Sequence, residues 1–313
     1  MNNIGGLWRL APLLIGLLVM AVMAARGCQE GPFGRSQLVR LAPEEENALG
    51  AQAFEQVLSE ARQKGAVIER GATVDAIKGI GRRLAAATAN PRFRERTRLK
   101  GERRFDWEFR LLADRQVNAF CLPGGKVVVF TGILPVAQTE TGLAVVMGHE
   151  IGHALARHGA ERMAQNELVQ VGQVAVASSL GGLDYNTQRA ILGTLSAGTQ
   201  LGLLSYSRDH EREADHLGVL LMAAAGYDPR SASQFWLRME RASGGNAPPP
   251  FLSTHPPHGE RMQNLSQWAA TEALDLYQAS DKQPDRDLPP VGQPARPKEP
   301  AKSGMKGKGY EFK

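Results

Sequence analysis

Histidine is missing from nearly half of this 313-residue chain: all seven histidines lie between positions 149 and 258, and the first 148 residues contain none. Any histidine-dependent site must therefore be built from the second half of the chain. Cysteine is also scarce, and two residues exclude a disulfide framework or a cysteine-based zinc cluster. Long apolar runs are absent apart from one near the N-terminus, and the mean hydropathy is −0.28, which excludes a multi-spanning membrane protein.

The overall composition is that of a folded protein. The chain has 42% hydrophobic and 22% charged residues and a formal net charge of +5, which excludes a wholly disordered chain and allows one large domain or two small ones. Residues 91–104 carry seven basic and two acidic side chains, a net charge equal to that of the whole chain. Such a block attracts nucleic acid or anionic lipid in some proteins, but it lacks the interleaved aromatic pattern that stacks on bases. We predict a solvated loop there and no nucleic-acid partner.

The N-terminal segment has the features of an export signal. Arg9 precedes a 16-residue apolar run, 10–25, in which Val22-Met23-Ala24 offers a small-x-small cleavage site. We predict a signal peptide over residues 1–27, and a protein exported to the bacterial periplasm. An uncleaved anchor that holds the protein at a membrane is less favoured, because a bilayer span needs about 20 apolar residues. Lipidation at Cys28 and a buried N-terminal helix are weaker alternatives, since Arg26 fits a lipoprotein signal poorly and no polar residues alternate with the apolar ones.

The C-terminal segment is rich in proline and lysine and contains almost no aliphatic residues. It can bury too little apolar surface to offset the entropy cost of ordering. We therefore predict a disordered tail over residues 276–313. Before it we expect a linker over residues 28–43 and a folded domain over 44–275.

Hydrophobic periodicity within the folded domain predicts helices at 44–89, 138–164, 168–180 and 186–225. Residues 105–113 alternate like a strand, and the β-branched run Lys126–Phe130 follows a glycine turn. The expected fold class is α+β, a mostly helical domain with a small antiparallel sheet.

The helix predicted at 138–164 contains the sequence His149-Glu150-Ile151-Gly152-His153. Residues four apart lie about 40° apart around a helix and one turn along it, so both imidazoles can bind one metal ion. Glu150 projects beside them and can take a proton from a metal-bound water. The rest of this helix is apolar, and histidines and a carboxylate would be costly there without partners. The pattern predicts a catalytic metal site.

A third ligand is expected from a later acidic segment. Glu211 and Asp215 are one helical turn apart, so a ligand carboxylate and a carboxylate that orients a ligand imidazole can share one helix face. Glu213 points about 200° away from Glu211 and is the poorer candidate. An acidic helix face is usually plain solvent-exposed surface, but its combination with the histidine motif favours a metal site.

The order of these motifs is specific. Along roughly residues 44–275 the chain carries them at 118–125, 126–132, 148–153, 207–218 and 254–261. In this order they resemble the gluzincin metallopeptidases of family forty-eight, the group that contains HtpX, the CAAX prenyl endopeptidases, the OMA-type mitochondrial proteases and the periplasmic BepA and LoiP proteases.

The resemblance implies a zincin-type domain that binds one Zn²⁺ per chain. It implies that the zinc ligands are His149, His153 and Glu211, that Glu150 is the general base and acid, and that Asp215 orients a ligand. His255 and Arg261 match a pair that stabilises the oxyanion or takes the fourth zinc position.

The resemblance also implies an active-site edge strand along which a substrate peptide lies extended. The matching strand consists of Lys126, Val127, Val128, Val129 and Phe130. Cys121 departs from the family pattern, which has a small apolar residue there, and we interpret it as a buried structural thiol. No role is predicted for the remaining histidines, His158, His210, His216 and His258; His158 lies about 140° around the helix from His153, too far to join the same metal.

The implied activity is zinc-dependent hydrolysis of peptide bonds in polypeptides. Together with the export signal it predicts cleavage of exported or membrane-associated, misfolded proteins, that is, envelope quality control. One alternative is an envelope assembly factor or chaperone whose zinc site is closed by His255 and rarely cleaves. Another is a membrane-anchored processing protease with one dedicated substrate. Membrane or envelope assembly machinery is the expected partner.

Overall fold

The computed structural model describes residues 10–101, 103–180, 186–187, 189, 206–242, 249–255 and 259–291. Residues 190–205 of the helix predicted at 186–225, and His258, lie outside this part of the chain. The helices are α1 (Ala11–Gly27), α2 (Pro43–Gln63), α3 (Ala72–Ala87), α4 (Pro91–Thr97), α5 (Leu134–Ala137), α6 (Glu140–Leu155), α7 (His158–Ser179), α8 (Arg208–Ala224), α9 (Ser231–Ala242), α10 (Pro250–Thr254), α11 (Arg261–Ala270) and α12 (Glu272–Gln278). The strands are β1 (Cys28–Glu30), β2 (Ser36–Leu38), β3 (Val67–Ile68), β4 (Glu108–Leu112), β5 (Ala119–Leu122) and β6 (Lys126–Phe130).

The mostly helical α+β class predicted from the sequence is confirmed. The main sheet has the strand order β3-β4-β6-β5. The β3–β4 and β5–β6 pairs are antiparallel, as expected, whereas β4 and β6 are parallel. A parallel pair arises because the chain crosses from β4 to β5 before it turns back through a hairpin into β6.

The position of Lys126–Phe130 corrects a prediction. This strand is β6, and it is hydrogen-bonded on both sides, to β4 and to β5, so it is not an edge strand. Val127, Val128 and Val129 are each 0% exposed. Continuous apolar runs are typical of inner strands that are covered on both faces. The edge strand of this sheet that packs against α6 is β5.

Helix α6 lies at the centre of the core. Thr139 caps its first turn by accepting a hydrogen bond from the Gly142 backbone N–H, at 3.1 Å. All residues from 141 to 155 are buried, so every face of the helix contacts protein. Arg157 then adopts a left-handed conformation, with φ 60°, and divides the helix predicted at 138–164 into α6 and α7.

The basic block and the predicted linker both differ from the sequence predictions. The basic block at 91–104 begins with helix α4, which Asn90 caps by accepting a hydrogen bond from the Arg92 N–H at 3.0 Å. Phe93 of this helix is 0% exposed, so the helix is anchored in the core and the block is not simply a solvated loop. The segment predicted as a linker, 28–43, contains the antiparallel hairpin β1–β2.

Residues 281–291, predicted as part of the disordered tail, are docked on the domain. The Glu140 N–H donates to the carbonyl of Arg286 at 2.8 Å, and the Leu288 N–H donates to the carbonyl of Gln138 at 2.9 Å. Backbone pairing with the segment before α6 thus orders a sequence that has few apolar residues of its own. Residues 292–313 lie outside the part of the chain that the structure describes.

The predicted export signal corresponds to helix α1, which packs along α7. A Cβ atom on Gly16 would lie 2.4 Å from the Cβ of Ala175, so glycine is needed for this close approach. The opposite face of α1 leaves Leu14, Leu17 and Leu18 exposed. Within the described residues, no helix combines the length and the apolarity that a membrane crossing requires.

Candidate metal centre

Two glycine contacts bring helices α6 and α8 close together. A Cβ atom on Gly152 would lie 2.8 Å from the carbonyl oxygen of Ala214, and one on Gly148 would lie 3.1 Å from that of Gly218. Since no side chain separates the two backbones at these points, the histidines of α6 and the carboxylates of α8 meet directly. The two motifs that the sequence analysis paired are therefore adjacent in the fold.

Four side chains converge at this helix contact. The Nε2 atoms of His149 and His153 are 3.1 Å apart. The Glu211 carboxylate lies 3.5 Å from the first of these nitrogens and 3.3 Å from the second. With His255, their ligand atoms all lie within 4.8 Å of one another, and all four residues are buried. We call His149, His153, Glu211 and His255 the metal cluster.

Asp215 and Arg261 hold the metal cluster from outside. The Nδ1 of His149 lies 2.9 Å from Asp215 Oδ1, a contact in which the imidazole donates and keeps its Nε2 lone pair for a metal. Arg261 donates from Nε to Asp215 Oδ2 at 2.6 Å and from Nη2 to Glu211 Oε2 at 2.8 Å. Its guanidinium also lies 3.7 Å from the Trp236 ring centroid. In these contacts Arg261 positions two carboxylates; direct contact with an oxyanion stays a prediction.

Burial and hydrogen bonds determine which members of the metal cluster carry a proton before a metal binds. Burial favours neutral His149, but hydrogen bonds with Asp215 and Glu211 outweigh this effect and raise its pKa to about 9. Burial lowers the pKa of His153 to about 3. For Glu211 burial alone would raise the pKa, yet hydrogen bonds from His149, His153 and His255 hold it well below its ordinary value. Without a metal, His149 therefore carries a second proton, on Nε2, which a cation must displace, whereas His153 is neutral and Glu211 is a carboxylate.

Glu150 is placed differently from the ligands. It is 3% exposed, and its Oε1 atom makes no hydrogen bond with any described residue. Burial raises its pKa, and the positive charges of His255 and His149, together with a hydrogen bond from the backbone of Cys121, oppose that rise. A buried carboxylate oxygen that accepts no hydrogen bond from a described residue, beside the metal cluster, is available to hold a proton.

His255 reaches the metal cluster from the end of α10. Its Nδ1 lies 3.0 Å from Glu211 Oε1 and 3.3 Å from His149 Nε2. Its Nε2 lies 3.5 Å from Glu150 Oε1, and its ring stacks on Phe251 with the centroids 4.4 Å apart. The structure therefore brings His255 to the fourth position of the cluster.

The edge strand β5 borders the metal centre. A cavity of about 290 Å³ lies between β5 and α7 and is lined in part by Leu122, Met163 and Tyr206, with His153 at one side. Cys121 of β5 is a free thiol. Burial raises its pKa well above the ordinary value, so it stays protonated, as expected of a structural residue.

Several aromatic residues of the site were not predicted from the sequence. Tyr206 stacks on His153 with ring centroids 4.0 Å apart, and Trp236 contacts His149 edge-on at 5.2 Å. A signal existed for Tyr206, because it directly precedes Ser207, the cap of α8, in a polar stretch of sequence. His158, for which no role was predicted, has its Nδ1 2.8 Å from the Nδ1 of His153.

Two imidazoles four residues apart on one helix, a carboxylate from a second helix and a free buried glutamate define a site of the zincin metallopeptidase class. The chain belongs to peptidase family M48, whose family model matches residues 85–269. That range contains the whole metal cluster together with Glu150, Asp215 and Arg261.

The curated relatives include mitochondrial metalloendopeptidases and beta-barrel assembly-enhancing proteases of bacteria. The mitochondrial metalloendopeptidase OMA1 of Schizosaccharomyces pombe is 42% identical over 164 residues, which cover 52% of this chain and 46% of the relative. Human mitochondrial metalloendopeptidase OMA1 is 29% identical over 238 residues, 74% of this chain and 44% of the relative. The beta-barrel assembly-enhancing protease of Escherichia coli is 34% identical over 185 residues, 56% and 37%. The aligned parts of this chain thus span about half the length, or less, of these relatives.

Proposed function

We propose that the protein is a zinc-dependent endopeptidase. The observation that carries the proposal is the convergence of His149, His153 and Glu211 beside Glu150, whose Oε1 makes no hydrogen bond with a described residue. The buried Nε2 atoms of His149 and His153 are 3.1 Å apart. Without a metal ion they share at most one hydrogen, and they repel each other if both rings are charged. A cation between them and the Glu211 carboxylate satisfies both lone pairs, and zinc prefers this set of nitrogen and oxygen ligands.

The ligands and the residues around them have separate roles. His149, His153 and Glu211 would hold zinc, which when bound polarises a peptide carbonyl and acidifies a water molecule. Glu150 accepts the water proton at its free oxygen and delivers it to the leaving amine. Asp215 fixes the tautomer of His149, and Arg261 keeps the carboxylates of Asp215 and Glu211 in place. His255 is positioned to donate a hydrogen bond to the oxyanion when it leaves the fourth position.

The proposed substrates are polypeptides that bind in an extended conformation. The edge strand β5 offers backbone groups beside Glu150, so substrate recognition through the backbone requires an unfolded segment more than a particular side chain. We therefore infer a role in quality control of exported or membrane-associated proteins. The periplasm is the proposed location, on the strength of the apolar N-terminal segment. The E. coli relative, named for beta-barrel assembly, supports an envelope partner such as the assembly machinery.

A second candidate function is that of an assembly factor or chaperone with a self-inhibited site. It is favoured by His255, whose imidazole already lies at the fourth position of the metal cluster. In this case zinc would be held by four protein ligands, and the protein would cleave only after His255 moves away.

One comparison tests both candidates. Purified protein is analysed for metal, and casein cleavage is measured for the wild type beside Glu150→Gln. We expect one zinc per chain in both proteins and a loss of roughly 10²–10⁴-fold in cleavage rate for the variant, because it removes the proton acceptor but no ligand. Zinc-loaded wild type whose cleavage equals that of Glu150→Gln would sink the endopeptidase proposal. Cleavage that increases in His255→Ala would favour the self-inhibited protein.

A further inference from the structure

A second group of buried polar side chains lies beside the metal cluster. It consists of His158 and Glu161 on α7 and of His210 and Glu213 on α8, all buried, together with Arg35 from the loop between β1 and β2. We call these five residues the support cluster. Arg35 donates from Nη2 to Glu161 Oε2 at 2.7 Å and from Nε to Glu213 Oε2 at 3.0 Å. The proposed reaction uses none of these side chains, so their burial calls for an explanation.

A continuous series of contacts connects the support cluster to one ligand. His153 Nδ1 lies 2.8 Å from His158 Nδ1, and His158 Nε2 lies 2.7 Å from Glu213 Oε2. The carboxylate of Glu213 then accepts from Arg35. Each member of the series is buried except Arg35, whose side chain is 29% exposed.

The carboxylate at the end of this series determines where the hydrogens lie. Glu213 Oε2 already accepts a hydrogen bond from the Arg35 guanidinium, and a carboxylate oxygen paired in this way only accepts, so His158 carries its hydrogen on Nε2. The 2.8 Å contact between the Nδ1 atoms of His158 and His153 holds a single hydrogen, and with the hydrogen of the His158 ring on Nε2 its Nδ1 is the acceptor of that contact. His153 must therefore donate from its own Nδ1, and this leaves the lone pair of its Nε2 directed at the metal cluster. The opposite tautomers would place a nitrogen lone pair against the Glu213 carboxylate.

We propose that His158 and Glu213 are positioning residues that orient the ligand His153 and fix its tautomer. This inference rests on the proposed zinc site. Asp215 orients His149 by direct contact at 2.9 Å. Glu213 orients His153 indirectly, through the imidazole of His158 that lies between them. A carboxylate behind a metal-binding histidine is a recurring device that fixes the ring and raises its basicity.

The helix break at Arg157 makes this contact available. In one continuous helix His158 would lie about 140° around from His153, and the two rings would diverge. The left-handed Arg157 ends α6 and starts α7 in a new direction, which turns His158 back towards His153. The ring centroids of the two histidines are 4.9 Å apart.

The test compares His158→Phe with His210→Phe. Both histidines are buried in the support cluster and their rings stack on each other at 4.3 Å, but of the two rings the one that hydrogen-bonds the side chain of a proposed ligand is that of His158. Zinc affinity is measured for the whole metal-free protein by competition with a chromogenic chelator, and folding is checked by circular dichroism. We expect the affinity to fall roughly 10–100-fold for His158→Phe and by less than about threefold for His210→Phe. Equal affinities in two folded variants would overturn the proposal.

A milder pair of variants covers the case in which His158→Phe does not fold. Glu213→Gln and Glu161→Gln each remove one of the two buried carboxylates that Arg35 contacts. Only Glu213→Gln lets an amide N–H face His158 and reverse its tautomer. We expect an affinity loss of several-fold for Glu213→Gln, a shifted absorption spectrum of its Co²⁺-substituted form, and neither change for Glu161→Gln. Identical Co²⁺ spectra and affinities for the two variants would also overturn the proposal.

A direct readout of the tautomer uses the metal-free wild type. Long-range ¹H–¹⁵N correlation spectra of its histidines should show His158 protonated at Nε2 and His153 protonated at Nδ1. The reverse assignment contradicts the inference whatever the enzyme activity is. If the wild type binds no zinc in the chelator competition, the proposed function fails instead, so the two failures are distinguishable.

Discussion

The metal cluster and the support cluster are built from the same kinds of residue but arranged differently. Each has buried histidines and a glutamate from α8, and each is contacted by or contains one arginine that donates to two carboxylates, Arg261 in one case and Arg35 in the other. In the metal cluster the nitrogen and oxygen atoms converge on one point. In the support cluster they form separate pairs, His158 with Glu213 and His210 with Glu161.

This difference shows what distinguishes a metal site from a buried ion-pair network. In the support cluster each imidazole has its own carboxylate, so one nitrogen of each ring is paired and the nitrogens do not meet at a common point. Where two imidazoles and a carboxylate point at one another, the lone pairs remain in excess, and a cation is the group that satisfies them. Composition alone does not separate the two clusters, because both are rich in histidine and glutamate.

The largest expected effect is the difference between the two arginines in their contribution to the free energy of unfolding. Arg261 is 1% exposed and its two carboxylates are 0% exposed, whereas the side chain of Arg35 is 29% exposed. We expect Arg261→Met to cost about 3–5 kcal/mol in the free energy of unfolding of metal-free protein, because it leaves two buried carboxylates with too few donors. Arg35→Met should cost roughly 1–3 kcal/mol, since water reaches part of its site.

Urea denaturation of both variants in the presence of a chelator measures this difference. The protein without zinc is the right reference, because bound zinc would itself neutralise Glu211. If Arg35→Met proves as destabilising as Arg261→Met, then the support cluster is as isolated from water as the metal cluster, and the contrast in burial has no energetic consequence.

The helical part of the metal site could be predicted from the sequence because its spacing is local, whereas His255, 106 residues from His149, was indicated only by the family resemblance. His149, Glu150 and His153 belong to one helix, and Glu211 and Asp215 to another, so helical geometry alone places them on common faces. The support cluster could not be predicted. Arg35 is 178 residues from Glu213, and the contact of His158 with His153 depends on a helix break that the apolar periodicity does not reveal.

The error over Lys126–Phe130 has a similar cause. Strand periodicity shows that a segment is a strand, but the strand order depends on contacts between distant parts of the chain. The run of three valines did carry a signal, since it lacks the polar alternation of a strand with one solvated face. Likewise, the proline- and charge-rich sequence at 281–291 indicates little apolar burial, but its backbone pairing with residues 138 and 140 leaves no trace in composition.

The support cluster should respond to acid through Glu161. Burial alone would raise the pKa of this carboxyl, but hydrogen bonds with His210 and Arg35 outweigh burial and lower it from 4.5 to about 2. A lowered pKa contributes stability that is complete above pH 4.5 and is lost as the pH falls towards 2. The wild type should therefore exceed Glu161→Gln by up to roughly 2–3 kcal/mol in unfolding free energy at pH 7, and the gap should narrow below pH 4.5.

Glu167→Gln is the matched control for this titration. Glu167 lies on the same helix and also pairs with an arginine, but its side chain is 44% exposed. Urea denaturation of the three proteins between pH 7 and pH 3 should give a gap that closes for Glu161→Gln and stays small and flat for Glu167→Gln. A gap for Glu161→Gln that does not change with pH would mean that its cost comes from shape and not from charge.

The smallest expected effect comes from the N-terminal cap of α8, the helix that carries residues of both clusters. Ser207 caps α8 by accepting the His210 N–H at 3.1 Å. Removing this cap in Ser207→Ala should cost about 1 kcal/mol and loosen the first turn. Glu211 lies in that turn, whereas Glu213 and Asp215 lie beyond it, so the metal cluster should lose zinc affinity by a few-fold while the contact of His158 with Glu213 persists.

Thr139→Ala provides the matched loss of a cap on the other helix. Thr139 caps α6, whose first turn contains no residue of either cluster, so a similar loss of stability should leave zinc affinity unchanged. Urea denaturation should therefore show a similar loss of unfolding free energy in the two variants. Chelator competition should show a loss of zinc affinity in Ser207→Ala alone. If both variants bind zinc like the wild type, the first turn of α8 is held by its contacts with Arg261 and His255 and not by its cap, and the metal cluster orders its own helix end.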